Sequence, residues 1–366
     1  MFSSRSIIFA VAIAFAAGVI VSLALRPSGS TKVKQVTTDG QEQVIRHKWR
    51  MPLSASRSLP GAGEQPTWLT QKVKAISKGA FIIDMYDPGE IVPSFAITDA
   101  VSDRKVQAGW TWIGYDQGKI PASALIAAAP FGMEPPAYVG WWLFGGGKAL
   151  AEKIYAEHDI RPILCAITGP ETAGWFSKPI NRVEDLQGLK IRFAGLGGRT
   201  LQRLGASVTM IPSGEIFQAL ETGVIDATEY SQPVVDEALG FSRIAKYNYF
   251  PGWHQPFTAT HMMVNLQIWN DLSVTDQTLL DTACTGTLMY SLSLTESLQG
   301  PVIQEFKDQG IKTQILSADL QDKLRIAANE VMEEEARKND YFRQVLESQR
   351  NYKATHDQWR ELAYPK

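Results

Sequence analysis

The chain is poor in sulfur, with only two cysteines, Cys165 and Cys284, in 366 residues. Two cannot make the multi-bridge framework of a small secreted domain, and neither lies in the C-x-x-C or Cys/His spacing that zinc or thioredoxin-like chemistry needs. Nothing in the architecture is therefore expected to depend on sulfur. An excess of one charge is lacking too. Thirty-six basic against 38 acidic residues leave a net charge of -2, with no polycationic surface for duplex nucleic acid and no acidic tail. Nucleic acid is not an expected partner. Catalytic signatures are missing as well, since neither a G-x-S-x-G elbow nor an H-E-x-x-H helix occurs. The five histidines are scattered, and the spacing of seven between His254 and His261 does not form a helical metal pair, so a structural role is expected for them. Gly145-Gly146-Gly147 is followed by Lys148, but Ala149 stands where a phosphate loop needs a hydroxyl. Gly195-Leu196-Gly197-Gly198 opens a helix after a strand, but Thr200 replaces the last glycine of a dinucleotide fingerprint. A close-packing turn is the better reading, although its N–H groups remain able to help hold an anion.

Long apolar runs are also scarce. The one present, Ile7 to Leu25, spans 19 residues between Arg5 and Arg26, and a polar stretch from Pro27 to Gln43 follows it. It reads as an export segment. It is longer than the usual ~7–15 residue core of a signal peptide and close to the ~20 residues that cross a bilayer. Removal as a signal peptide, with Ser22 and Ala24 as a weak small-x-small site, and retention as an inner-membrane anchor both remain open. Either outcome places the rest of the chain in the periplasm. The expected division is 1–26 as signal or anchor and 27–43 as a polar linker.

What is present suits a large folded protein of more than one unit, at 45% hydrophobic and 20% charged. From Val44 onward short apolar runs alternate with amphipathic helical patterns, which predicts an α/β protein with mainly parallel strands. His47–Met51, a helix over Thr67–Lys78 and Ala80–Met85 form one βαβ unit. Pro93–Val101 reads as helix and Val106–Trp112 as strand, with Ala108, Trp110 and Trp112 inward. Further strands are expected at Pro162–Ile167, Lys190–Phe193, Val208–Ile211, Asp226–Thr228 and Thr260–Asn265. Asn181 with Glu184, and Ser213, read as helix caps. From Val274 onward the pattern is almost wholly helical.

Arg192 is the residue on which a function turns. In Leu189-Lys190-Ile191-Arg192-Phe193 the strand period of two puts Ile191 and Phe193 on one face and Arg192 on the other. A guanidinium at an apolar strand end needs an anion, either a local carboxylate such as Asp185 or the carboxylate of a ligand, whose planar geometry it matches. The residues alone leave both open.

Four stretches carry a resemblance: Gly89-Glu90-Ile91-Val92-Pro93; Gly188-Leu189-Lys190-Ile191-Arg192; Leu220-Glu221-Thr222-Gly223-Val224-Ile225-Asp226-Ala227-Thr228-Glu229; and Tyr249-Phe250-Pro251-Gly252-Trp253. They resemble the extracytoplasmic solute-binding subunits of tripartite ATP-independent periplasmic (TRAP) transporters. Within these they are most similar to the branch that binds 2-oxo and 2-hydroxy monocarboxylates such as pyruvate and lactate. The likeness runs from about Trp49 to Leu362. The glycine-leucine-lysine-x-arginine piece marks the whole family, and the alanine-threonine-glutamate and proline-glycine-tryptophan pieces mark the branch.

The resemblance implies a two-lobed periplasmic binding-protein fold with a mostly parallel sheet in each lobe and a helical C-terminal region. Lobe I would comprise 44–165 plus 256–297, and lobe II 166–255 plus 298–366. It implies a receptor rather than an enzyme, closing over its ligand and handing it to the membrane permease subunits. Arg192 would clamp the carboxylate. A sodium or calcium ion would bridge substrate and protein through Glu171, Glu229 and Gln255, with help from Tyr230, which replaces the family's tryptophan. Relatives carry glutamine at the first of these positions and glutamate at the third, so amide and carboxylate are exchanged here. Two carboxylates and one amide supply the same hard oxygen donors in either order, and the ion site is expected to survive. In the competing reading the ion is lost and Gln255 bonds the ligand directly. Tyr115 and Trp253 would line the apolar side, with Trp175 and Phe193 as supports. Some relatives pair through an exchanged C-terminal helix, so a homodimer through Asn351–Ala363 is a further expectation. The alternatives are an exported enzyme acting on small carboxylic acids and an anchored sensor.

Overall fold

The computed structural model describes residues 34–36 and 42–363. The export run and the last three residues lie outside them. Two compact units are distinguished, 1–46 and 47–366. In the first, β1 (Lys34–Val36) and β2 (Glu42–Val44) pair antiparallel, so the segment expected to be a linker contains strand structure.

The second unit begins with the expected βαβ element. β3 (His47–Pro52) and β4 (Phe81–Tyr86) pair in parallel across the helix Glu64–Ile76. Lys48 and Arg50 face solvent while Trp49 and Met51 are buried, the alternation of a half-covered strand. Leu69 and Val73 of the helix close on Trp49, Met51, Phe81 and Ile83. A bridge from Leu53 to Trp110 leads to β5 (Ala108–Trp112), which joins β12 (Ala259–Asn265) and β6 (Ile160–Ile167) in the order β5-β12-β6. β5 is buried on both faces. Gly109 makes that possible, because a Cβ there would lie 2.3 Å from Ile97 Cγ2.

A six-stranded sheet forms the other half, in the order β13-β11-β7-β10-β8-β9. Its strands are β7 (Gly174–Phe176), β8 (Lys190–Arg192), β9 (Ser207–Thr209), β10 (Ala227–Thr228), β11 (Tyr247–Phe250) and β13 (Lys312–Ile315). The two-lobed α/β architecture is as expected; the six-stranded sheet is parallel in three of its five pairings, whereas the three-stranded sheet is antiparallel. β12 runs antiparallel to both neighbours, and β7 runs antiparallel to β10 and β11. β7 follows β6 after six residues and β12 follows β11 after eight, and nothing local in the sequence fixes their direction.

Sulfur matters after all. Cys165 on β6 and Cys284 on the helix Val274–Asp308 form a disulfide between two fully buried positions, 119 residues apart in sequence. The same helix is capped by Ser273, whose Oγ accepts from Asp276 N at 3.1 Å. Its Ser291 hydroxyl donates to the Ile167 carbonyl at 2.9 Å and accepts the Ile167 N–H at 3.0 Å. Leu280 packs in one half and Phe306 in the other, so one rod of 35 residues runs past both. The helix Ala318–Lys338 also spans them, Leu320 and Leu324 lying with Phe193 and Val331 and Met332 with Tyr138. The last helix, Asp340–Ala363, buries Phe342, Val345 and Leu346 against Trp141 and Ile154. Its packing is therefore with the first half, although its place in the sequence suggested the second. Of the expected caps, Asp185 rather than Asn181 closes the turn Val183–Leu186, accepting the N–H groups of Asn181 and Arg182, and Ser213 lies inside its helix rather than before it. Among the described residues no helix is long and apolar enough to cross a membrane.

Candidate functional site

The site is assembled from strand ends, where open α/β sheets expose loop backbone and side chains to a ligand. β8 and β10 are parallel with Arg192 opposite Thr228, so the next residue, Glu229, arrives beside the Arg192 guanidinium. Glu171 follows β6, His254 and Gln255 follow β11, and Trp110, Trp112 and Tyr115 come from the end of β5 and the turn after it. These residues, Thr228 and His254 apart, line one cavity of about 80 Å³. That is room for several waters or one small organic acid, given the ~10–15 Å³ that a single water needs.

Arg192 and Glu229 are each only 1% exposed. Arg192 Nη1 donates to Glu229 Oε1 at 2.7 Å and to the Glu229 carbonyl at 2.5 Å, and Nε donates to the Ile211 carbonyl at 3.3 Å. The Tyr230 ring lies 5.3 Å beneath the guanidinium, a cation–π contact. The expected local alternative, Asp185, is engaged instead with Arg182 at 3.5 Å. Glu229 Oε1 also accepts the Ala194 N–H at 2.5 Å, while Oε2 is buried with no hydrogen-bond partner. Burial alone would raise the Glu229 carboxyl, but Arg192, His254 and the Ala194 N–H outweigh it and hold the group below its ordinary range.

Glu171 is held differently. Its Oε1 accepts the Thr258 hydroxyl and its Oε2 faces His254 Nε2 at 3.2 Å. Burial dominates and pushes its carboxyl up, with Glu229 adding to the effect and His254 opposing it. His254 Nε2 is also 3.7 Å from Glu229 Oε2. Burial would lower the imidazole, yet the two carboxylates prevail and raise it to about 9. His254 Nε2 thus faces two buried carboxylates, whose charge favours its protonated form. Gln255 Nε2 donates to Thr258 Oγ1 at 3.4 Å, a contact that ties the exchanged pair Gln255 and Glu171 through one hydroxyl and leaves the Gln255 carbonyl oxygen for another partner.

Six of the seven residues expected to bind substrate meet in the cavity: Tyr115, Glu171, Arg192, Glu229, Tyr230 and Gln255. Trp253 does not line it. It stands behind the site, stacked between Phe193 at 5.9 Å and Phe131 at 5.7 Å, and the apolar side is supplied by Trp110, Trp112 and Tyr115 instead. Trp175 is a support, fully buried, with Nε1 donating to Asp236 at 2.8 Å. Sequence reasoning missed His254, because its partners lie 83 and 25 positions away and no local spacing links them. The sequence signal was its place directly after the proline-glycine-tryptophan turn.

The donor set suits a cation. The Glu171 and Glu229 carboxylates each bring an oxygen to within 4.8 Å of the other, and Glu229 Oε2 is an orphaned buried acceptor; His254, protonated, offers no lone pair and stands beside them as a countercharge.

Comparison with known proteins agrees with this geometry. The profile of DctP, the bacterial extracellular solute-binding proteins of family 7, matches residues 62–339. The monocarboxylate 2-oxoacid-binding periplasmic protein of Nostoc sp. is 34% identical over 331 residues, covering 90% of this chain and 91% of the relative. Two solved TRAP periplasmic solute-binding proteins superpose with a TM-score of 0.84, each covering 87% of this chain and 97% of its own. One, from Colwellia psychrerythraea with bound calcium and pyruvate, is 31% identical; the other, from Pseudoalteromonas atlantica with bound sodium and pyruvate, is 30% identical. A third, from Bordetella bronchiseptica with calcium and picolinate, is 29% identical with a TM-score of 0.85, covering 86% of this chain and 94% of its own. Buried strand-end charges around a small cavity, in a fold shared along nearly the whole chain, make this protein a member of the bacterial extracellular solute-binding family 7, the TRAP transporter receptors that bind and hand on solutes rather than transform them.

Proposed function

We propose that this protein is the periplasmic receptor for a short 2-oxo or 2-hydroxy monocarboxylate of the pyruvate and lactate class, delivered to the membrane subunits of a TRAP transporter. The observation that carries the reading is the convergence of Arg192, Glu171, Glu229 and Gln255 on one small cavity. Arg192 Nη1 is tied to Glu229, and Nη2, which has no protein partner among the described residues, is the nitrogen for the ligand carboxylate. The aromatic side chains of Trp110, Trp112 and Tyr115 exclude water around the ligand carbon chain, which strengthens the charged contacts.

Glu171, Glu229, the Gln255 carbonyl oxygen and the Tyr230 backbone carbonyl would hold a sodium or calcium ion. Bound there, the cation supplies positive charge between the two carboxylates and the incoming acid, which would otherwise repel each other. His254 faces the same two carboxylates and balances their charge. The ligand's contacts to both halves favour the closed arrangement, and that preference is what a membrane partner reads. The N-terminal run serves export, with anchoring as its retained form, and the terminal helix offers the surface for a homodimer.

Calorimetric titration of the purified protein with pyruvate and lactate, in sodium, in calcium and after chelation, tests the reading. Saturable binding that weakens sharply on chelation supports it; no heat with either acid in any buffer removes it.

A further inference from the structure

Beyond the charged cluster, two side chains lining the cavity carry buried polar atoms with no protein partner. Gln232 is 1% exposed, and neither its Nε2 nor its Oε1 makes a hydrogen bond. Trp112 is 7% exposed, and its Nε1–H is equally unpaired. Orphaned buried groups are rare in native folds, and each costs about 1–3 kcal/mol unless something pairs with it.

Both residues are set into the cavity wall. The Gln232 carbonyl accepts the N–H groups of Val235 and Asp236 at 3.0 Å each, which fixes its backbone at the start of the helix Pro233–Ala238. Its polar neighbour Asp236 is already taken up by Trp175, Thr172 and the Ser231 N–H. The six-membered ring of Trp112 is wedged between Gly114 and Gly195, where an added Cβ would lie 2.1 and 3.0 Å from Cη2. A ligand whose polar atoms were all at its carboxylate end would leave these groups unpaired.

We propose that the preferred ligand is a short 2-oxo or 2-hydroxy acid bearing a further hydroxyl, with Gln232 as the residue that selects it. A hydroxyl both donates and accepts, so it satisfies Gln232 Oε1 as donor and Gln232 Nε2 or Trp112 Nε1–H as acceptor. The inference rests on the carboxylate reading above and narrows its substrate class.

The test compares pyruvate with hydroxypyruvate, and lactate with glycerate, by calorimetry on the purified protein in calcium. The hydroxylated member of each pair is expected to bind at least about tenfold tighter. Gln232→Leu is expected to weaken hydroxypyruvate at least about tenfold while pyruvate holds or tightens. Gln232→Met, closer in shape, should reproduce the split, which guards against a variant that misfolds. Equal affinities within both pairs in the wild type, or variants that weaken pyruvate and hydroxypyruvate alike, overturn the inference and leave the monocarboxylate reading standing. Failure of all four acids to bind removes that reading and the inference with it.

Discussion

Replacing Arg192 with methionine removes a guanidinium that is 1% exposed and strands an equally buried carboxylate at Glu229. Methionine fills much of the stem volume, so the cavity contribution is small. Three hydrogen bonds go at once, two to Glu229 at 2.7 and 2.5 Å and one to the Ile211 carbonyl at 3.3 Å. Breaking one side of a buried pair costs about 3–5 kcal/mol, because the remaining charge has neither water nor a partner. His254 at 3.7 Å and the Ala194 N–H still face the Glu229 carboxylate, so the lower end applies, about 3 kcal/mol. At roughly 2–4 °C per kcal/mol for a large domain, the ligand-free variant should melt about 6–12 °C below the wild type. Circular dichroism melts at pH 7 read this directly. The double variant Arg192→Met, Glu229→Gln should recover most of the loss, since a buried amide carries no charge to desolvate. The pH dependence has a definite sign. With Arg192 present the Glu229 carboxyl is lowered, so its contribution is present above the unfolded pKa and lost as pH falls through the folded one. With Arg192 gone the carboxyl rises from its wild-type position, so the deficit of the single variant should shrink on acidification. A single variant melting within about 2 °C of wild type, or a double variant no better than the single, would refute the reasoning.

Three further outcomes are expected. Replacing both Cys165 and Cys284 with alanine opens a loop closed across 119 residues and should cost about 2–4 kcal/mol; an unchanged urea midpoint would contradict this. Asp116 is buried, and desolvation raises its carboxyl to about 6, against hydrogen bonds from Thr98 and Tyr155. Its contribution is fully present below pH 3.8 and lost as pH rises through about 6, so Asp116→Asn should gain on the order of 2–3 kcal/mol at pH 7 and flatten that slope in denaturant titrations. Glu171→Gln should weaken calcium binding by removing one of two carboxylates, and adding Gln255→Glu should restore it; a double variant as weak as the single would show that the two positions are not interchangeable donors.

The strand carrying Arg192 was legible because a period of two and a flanking apolar pair are local signals. The β3–β4 unit was legible for the same reason, with Leu69 and Val73 at helical spacing between two alternating strands. Other features had no local trace. The disulfide joins a strand to a helix across nearly a third of the chain, and the direction of β7 and β12 is set by tertiary contacts alone. His254 became part of the site only when segments far apart in sequence met, and Gln232 only when its amide was found unpaired. Trp253 stands one layer behind the cavity: the turn that carries it aims Gln255 at the cavity and His254 at the two carboxylates, and leaves the indole packed on Phe193.

The most direct test of the central claim is a crystal structure of the protein grown with pyruvate and calcium. The account predicts the carboxylate on Arg192 Nη2 and a calcium ion bound by oxygens of Glu171, Glu229 and Gln255. A ligand seated elsewhere, with Arg192 paired only to Glu229 and no ion between the two carboxylates, would contradict it.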